Sequence, residues 1–299
     1  MPPRMYYIYT IEGLHGTSMK KISRALLDNL KLEYAQRGYL VIRNFFSKTE
    51  VIRLKHWTND VVHWPEVTGK WLKYYETIDG PSANQEVVLS RIENFVRYHD
   101  KLSQFVDDEK LLFTLSFLMD EPVQFFKEKL NLKAPRAKGY SAHQDAPAFF
   151  DIDYAAITLL TPIDAMTVDN GCLYFVENGE NFSPTMLPQN EHNRALSQAI
   201  LHEFNWVPIE CDAGDVIIFS SYAPHYSLQN NSASERKILF LTFGRQHQSR
   251  GKTQQYFDKK RKVFPQDCEK IPGVDYRSAA AIYSFSSPVN VNFVPGRKK

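Results

Sequence analysis

The sequence predicts an α+β fold in which helices lead into a mainly β core, and three features of the 299-residue chain carry that expectation. Apolar residues recur at helical spacing in the stretches before about residue 121. After Pro122 this texture gives way to short β-type runs. Turn signals separate the runs, and several short strands at such intervals form an antiparallel sandwich or barrel. Helices first and strands afterwards fit a β core wrapped by helices.

Taken in order, Ile22, Ala25, Leu26, Leu30 and Leu32 recur at roughly helical spacing between Ser18 and about Gln36. Gly38 ends that pattern, and Tyr39-Leu40-Val41-Ile42 reads as a short strand. Ser47, with Glu50 three residues on, is the N-cap of a helix through Leu54 and beyond. The stretch 57–80 is less regular: Trp57, Trp64 and Trp71 are evenly spaced, but Pro65 and Gly69 interrupt any single helix, leaving core or pocket-wall aromatics. A helix over 101–121 follows from Leu102, Phe105, Val106, Leu111, Leu112, Leu115 and Leu118. The β-type runs are 123–133, 139–144, 155–163, 172–176, 216–220 and 237–243. Asp169-Asn170-Gly171 and Asp212-Ala213-Gly214-Asp215 separate them, the Asn-Gly pair signalling a hairpin. No repeat, low-complexity tract or linker divides the chain, so one domain is expected over 1–299.

Composition narrows the function. Hydrophobic residues at 43% and charged residues at 23% are the balance of a soluble globular protein. A net charge of +2 is too near neutral to imply a nucleic-acid or membrane partner. The basic run Lys259-Lys260-Arg261-Lys262 reads as solvated surface. Cys172, Cys211 and Cys268 are too few and scattered for a disulfide framework or zinc ribbon. The first residues lack the apolar core of a signal peptide, no apolar run reaches the ~18 residues of a membrane span, and the chain does not end in a peroxisomal tripeptide. A cytoplasmic protein with a small-molecule substrate is expected; the oligomeric state is left open.

One constellation carries chemistry. His143 and Asp145 are two apart in a β-type run, so both side chains can reach one point. His225 follows the apolar strand 216–219 at the mouth of such a core. Two neutral imidazoles and one carboxylate make the facial triad of non-heme Fe(II) oxygenases, which leaves coordination positions open. A structural zinc site would close the tetrahedron, usually with thiolates, and no cysteine is placed for that. Arg236 opens the apolar strand after His225. A guanidinium inside an apolar barrel needs a carboxylate, which its fork matches in two parallel hydrogen bonds. Ser227 shares the metal-facing side if its strand continues, and can donate to the same carboxylate.

His143-Gln144-Asp145, Asn170-Gly171-Cys172-Leu173, Gly214-Asp215, His225 with Ser227, and Arg236 resemble, in order and spacing, the motifs of the phytanoyl-CoA dioxygenase family. The opening Arg37-Gly38-Tyr39-Leu40-Val41-Ile42-Arg43-Asn44-Phe45 is similar to that family's first strand. The resemblance spans roughly residues 35–265, with 266–299 as a C-terminal extension that could cover the core or meet another subunit. It implies a double-stranded β-helix of the jelly-roll or cupin-like kind with flanking N-terminal helices. It also implies Fe(II) held by His143, Asp145 and His225, with 2-oxoglutarate as co-substrate held by Arg236 and Ser227. Asn131 resembles a further position near the co-substrate. Enzymes of this kind use O2 to convert 2-oxoglutarate to succinate and CO2. They oxidise an unactivated C–H bond by hydroxylation, desaturation or cyclisation.

For substrate, the segment Arg91-Ile92-Glu93-Asn94-Phe95-Val96-Arg97-Tyr98-His99, with Trp71, Tyr74 and Tyr75 upstream, is expected to form a lid over the iron. Arg91 or Arg97 would meet a carboxylate or phosphonate, and Glu93 an amine. Similar segments occur in relatives acting on small amine or phosphonate compounds, and other relatives act in specialised metabolism. A small free metabolite is therefore favoured over an acyl-CoA thioester. A non-catalytic binding protein, or a hydrolase or isomerase with another metal, would not need Arg236 and Ser227. Asp145 argues against a halogenase, which needs a small residue there.

Overall fold

The computed structural model describes residues 9–10, 24–80, 84–177, 182–190, 194–276, 283, 288–289 and 291. The start of the first expected helix, the N-terminal leader reading and the stretch from Phe293 lie outside these residues.

The N-terminal part forms as its sequence dictates. A short strand β1 (Tyr9–Thr10) pairs in parallel with β2 (Tyr39–Arg43), and α1 (Arg24–Arg37) lies between them. Gly38 ends α1 with φ +75°, its N–H donating to Tyr34 O at 2.8 Å. A Cβ there would meet the Phe182 ring at 2.6 Å, so glycine is required twice over. Helix α2 (Lys48–His63) opens with a full capping box: Ser47 Oγ accepts from Glu50 N at 3.2 Å, and Glu50 Oε2 accepts from Ser47 N at 2.7 Å.

Two expectations need correction next. The irregular stretch contains a regular hairpin, β3 (Leu72–Asp79) with β4 (Gln85–Glu93), whose bulge between Tyr74 and Tyr75 blurs its alternation. The single helix over 101–121 is two, α3 (Asp100–Phe105) and α4 (Glu109–Met119). Asp108 breaks it by capping α4, its Oδ1 accepting from Lys110 N at 2.9 Å.

The β core is a double-stranded β-helix. It uses β5 (Val123–Lys133), β6 (Tyr140–His143), β7 (Ala156–Pro162), β8 (Leu173–Val176), β9 (Trp206–Ile209), β10 (Val216–Ser220), β11 (His225–Ser227) and β12 (Arg236–Arg245). The larger sheet runs β1-β2-β10-β7-β12-β5-β4-β3, and the smaller β6-β11-β8-β9. Helix α5 (Gln198–Glu203) precedes β9, while α6 (Gln246–Ser249) and α7 (Lys252–Val263) follow β12.

Every residue of β7 is buried because both faces of the larger sheet are covered. Ile157, Leu159, Leu239 and Leu241 pack outward on Leu54, Leu111 and Leu115 of the N-terminal helices. Leu160, Phe219, Ile238 and Phe240 point inward onto Phe175, Trp206 and Tyr226 of the smaller sheet. Thr158 and Thr242 satisfy each other across the sheet at 3.0 Å.

The turns switch sheets. Asn170-Gly171 joins β7 to β8, which lie in different sheets, so the expected hairpin is instead a corner. Asn170 builds it by accepting from Thr167 N and donating to Ala165 O, both at 2.8 Å, and Gly171 takes φ +77°. Asp212–Asp215 likewise carries the chain from β9 to β10, with Asp215 accepting from Arg43 and from Asn44 N. Among the described residues, no helix is long and apolar enough to cross a membrane.

Candidate active site

The smaller sheet brings the two histidines together. His225 on β11 is the direct antiparallel partner of His143 on β6, with ring centroids 4.3 Å apart. Asp145 lies just past the end of β6, at the residue preceding the 3₁₀ turn Ala146–Ile152, and its Oδ1 is 3.6 Å from His143 Nε2. One ligand atom from each of the three lies within 4.8 Å of the others, and all three residues are buried. The second ring nitrogens face backbone carbonyls: His143 Nδ1 is 2.6 Å from Ser141 O, and His225 Nδ1 is 3.0 Å from Ala223 O. Such contacts fix the tautomer and present Nε2 to a metal.

Charge states agree with that geometry. Burial, then the nearby His143, pushes His225 down to about 3, so it is neutral. Burial would raise Asp145, but Lys129 and the two histidines hold it well below the usual carboxylate range. The neutral imidazole of His225 and the ionised carboxylate of Asp145 are the forms that ligate a divalent metal. The intervening Gln144 ties the site to its surroundings, donating to Thr185 O at 2.9 Å and Tyr222 O at 2.7 Å.

Next to the triad, a cavity is lined by Arg91, Lys129, Asn131, Lys133, Tyr140, Leu173, Ser227, Arg236 and Phe240. Arg236 is 2% exposed and donates to Gly171 O of the corner turn. Among the described residues its Nε has no hydrogen-bond partner and no carboxylate forms an ion pair with it. Burial lowers it to about 10, still a cation at neutral pH. Beside it, Lys133 is its register partner on β5 and donates to Ser227 Oγ at 2.9 Å. The buried Oδ1 of Asn131 is also without a partner among the described residues. Burial, then the neighbouring Arg236, holds Lys133 well below the usual lysine range, and a dicarboxylate bound between the two would restore its charge and satisfy the orphaned polar atoms.

Lys133 was missed in the sequence. The signal was there: Lys127, Lys129, Asn131 and Lys133 alternate with Leu130 and Leu132, so one face of β5 is cationic. Such alternation ordinarily means a half-exposed strand; here the polar face lines the barrel.

Of the expected lid residues, Arg91 lines the cavity. Glu93 is buried behind it, its Oε1 2.8 Å from Arg91 Nε and both its oxygens accepting from Lys260 at 2.7 and 2.6 Å. Lys260 is 0% exposed, which corrects the solvated reading of the basic run. It occupies the apolar stripe of α7 beside Tyr256 and Phe264, its ammonium 5.4 Å from the Tyr74 ring. Trp71, Tyr74, Tyr75, Asn94, Arg97, Tyr98 and His99 do not line the cavity, and Arg97 is exposed. Asn94 donates to Lys70 O at 2.8 Å and Trp71 to Pro65 O at 2.8 Å. Tyr98 stands edge-on to Trp71, and His99 caps α3 while stacking on Trp64.

A double-stranded β-helix with a buried 2-His-1-carboxylate triad beside a cationic cavity is the architecture of an Fe(II)- and 2-oxoglutarate-dependent dioxygenase, and this chain is such an enzyme. Comparison refines the class. The sequence profile of the phytanoyl-CoA dioxygenase family matches residues 34–238, and the chain belongs to that family. It is 35% identical over 261 residues to the 2-aminoethylphosphonate dioxygenase of uncultured bacterium HF130_AEPn_1, covering 87% of this chain and 97% of that one. It is 31% identical over 240 residues to the methylphosphonate hydroxylase of Gimesia maris, covering 80% and 89% respectively. Among solved structures, the epimerase SnoN with Fe3+, α-ketoglutarate and nogalamycin RO superposes with a TM-score of 0.60 at 16% identity. That alignment covers 75% of this chain and 85% of SnoN.

Proposed function

We propose that this enzyme hydroxylates the carbon bonded to phosphorus in a small organophosphonate. His143, Asp145 and His225 would hold Fe(II). Arg236, Lys133 and Ser227 would hold the distal carboxylate of 2-oxoglutarate, with Asn131 alongside. The bound iron and diacid supply the oxidising power when O2 reacts there, releasing succinate and CO2.

The chain's own residues do the rest. The Ser141 and Ala223 carbonyls keep both imidazoles in the metal-binding tautomer. Arg236 and Lys133 fix one end of the co-substrate in a site closed off from bulk water, where their charges count for more than at the surface. No protein nucleophile or general base is required, because C–H oxidation is the cofactor's chemistry and the protein positions the target carbon.

The observation that carries this reading is the cation-lined cavity around the triad. The named activities of the two curated relatives support the phosphonate, and methylphosphonate has C–H bonds only on its phosphorus-bound carbon. The test is anaerobic addition of Fe(II) and 2-oxoglutarate, followed by air with methylphosphonate or 2-aminoethylphosphonate. A metal-to-ligand charge-transfer band that disappears in His143→Ala, with succinate and a 31P-detected hydroxyphosphonate in equal amounts, is expected. The band with succinate but no phosphonate conversion would reject the phosphonate as substrate.

A further inference from the structure

We propose that Lys129, together with Arg91, forms a second anion subsite that receives the phosphonate group of the substrate, distinct from the pair that holds the co-substrate. The inference rests on the phosphonate reading above and assigns that reading's substrate group to named residues.

Lys129 and Lys133 both project from the cavity face of β5, four residues and therefore about 13 Å apart along the strand. Their ammonium groups have different surroundings. Lys133 lies at the Arg236 end, donating to Ser227 and Leu228 O. Lys129 lies at the triad end, 4.5 Å from the Phe240 ring centroid and 3.9 Å from Asp145 Oδ1. The Arg236 end is assigned above to the distal carboxylate of the co-substrate, and the cation at the triad end is assigned here to a different ligand.

Nor does the protein satisfy Lys129. Its ammonium makes no hydrogen bond among the described residues, and the one carboxylate among them within ion-pair distance is Asp145, whose charge the metal would take. A buried ammonium over an aromatic face, with no acceptor of its own, marks a place where an anion binds. Arg91 adds a second cation to the same cavity wall and is the register partner of Asn131 on β5. Glu93 behind it is shared with Lys260, so its single negative charge faces two cations. The wall therefore keeps a net positive charge after the co-substrate is bound, which suits a dianion better than a monoanion of the same shape.

The experiment measures calorimetric binding of methylphosphonate and of methanesulfonate to the full chain loaded anaerobically with Fe(II) and 2-oxoglutarate. The two probes share a tetrahedral head but differ by one charge at pH 8. Wild type is expected to favour methylphosphonate by at least tenfold. Lys129→Met should weaken methylphosphonate at least tenfold and largely erase the preference, while leaving the charge-transfer band intact. Lys129→Arg should restore much of both, which a merely structural role would not predict. Undiminished preference in Lys129→Met, with the band present, would overturn the subsite and leave phosphonate oxidation standing. Absence of methylphosphonate binding in wild type, with the band present, would overturn the subsite and the substrate reading together. A Lys129→Met protein without the band is replaced by Lys129→Gln, and the same two outcomes decide.

Discussion

Two groups of buried cations flank strand β5, and they differ in where their negative charge comes from. At one, Arg91 and Lys260 share the carboxylate of Glu93, beside the rings of Tyr74, Phe264 and Tyr283. At the other, Lys133 and Arg236 face the cavity, and among the described residues neither has a carboxylate in an ion pair. The first group is only half neutralised by the fold, one carboxylate serving two cations. The second is completed by a ligand, since two desolvated cations side by side are unfavourable until an anion arrives. A full counter-charge within the fold marks structure; a missing or shared one leaves room for a ligand.

The contrast breaks most readily at Glu93. Glu93→Gln leaves Arg91 and Lys260 buried without their carboxylate and should cost about 3–5 kcal/mol of folding stability, read from urea unfolding. An unchanged midpoint would mean that the cluster is not what pins α7 to the sheet. At the ligand-completed group the sign differs. Arg236→Met should leave the apo-protein at least as stable as wild type, yet weaken 2-oxoglutarate by roughly 2–5 kcal/mol in a binding titration. A destabilised apo-protein would show that Arg236 is completed by the fold after all.

A third test uses Glu128, a buried carboxylate near Glu93 with no ion pair among the described residues. Burial pushes it up to about 7, although it accepts from Phe95 N and Val96 N, whereas Glu93 is held at about 2 because its cations outweigh burial. For Glu128, a raised folded pKa means that its contribution is fully present below the unfolded value of 4.5 and lost as pH climbs through about 7. Glu128→Gln should flatten that part of the stability–pH curve and gain about 3 kcal/mol at pH 8, each pKa unit being worth about 1.4. For Glu93 the sign reverses, its contribution being lost as pH falls from 4.5 towards about 2. The smallest effect belongs to Tyr74→Phe, which removes one hydrogen bond to Phe264 O at 2.8 Å but keeps the ring beside Arg91. About 1 kcal/mol of stability is expected, with co-substrate binding unchanged.

How much of this was legible in the sequence depended on whether a signal was local. The triad was, because residues two apart near a strand end and a histidine after an apolar strand are one-dimensional patterns. The capping box at Ser47 and most core strands were legible for the same reason. The corner at Asn170-Gly171 was seen as a turn, but which sheet the next strand joins is a long-range choice that turn chemistry does not encode. Trp71, Tyr98 and His99 looked like a lid because aromatic and polar groups cluster there; they pack on Trp64 and cap α3, away from the cavity lining. Lys260 was hidden by its basic neighbours, although Tyr256, Phe257 and Val263 outline the stripe that buries it.

The alternation along β5 has a consequence for folding fidelity. Leu130 and Leu132 face the layer filled by Leu111 and Leu115, while Lys129 and Lys133 face the barrel. A slip of one residue against β12 would exchange the two faces and drive ammonium groups into the apolar layer. The residues suited to binding anions thus also proofread the pairing of the central strands. Replacing several of them at once with apolar side chains would remove the penalty on the misaligned sheet along with the binding site.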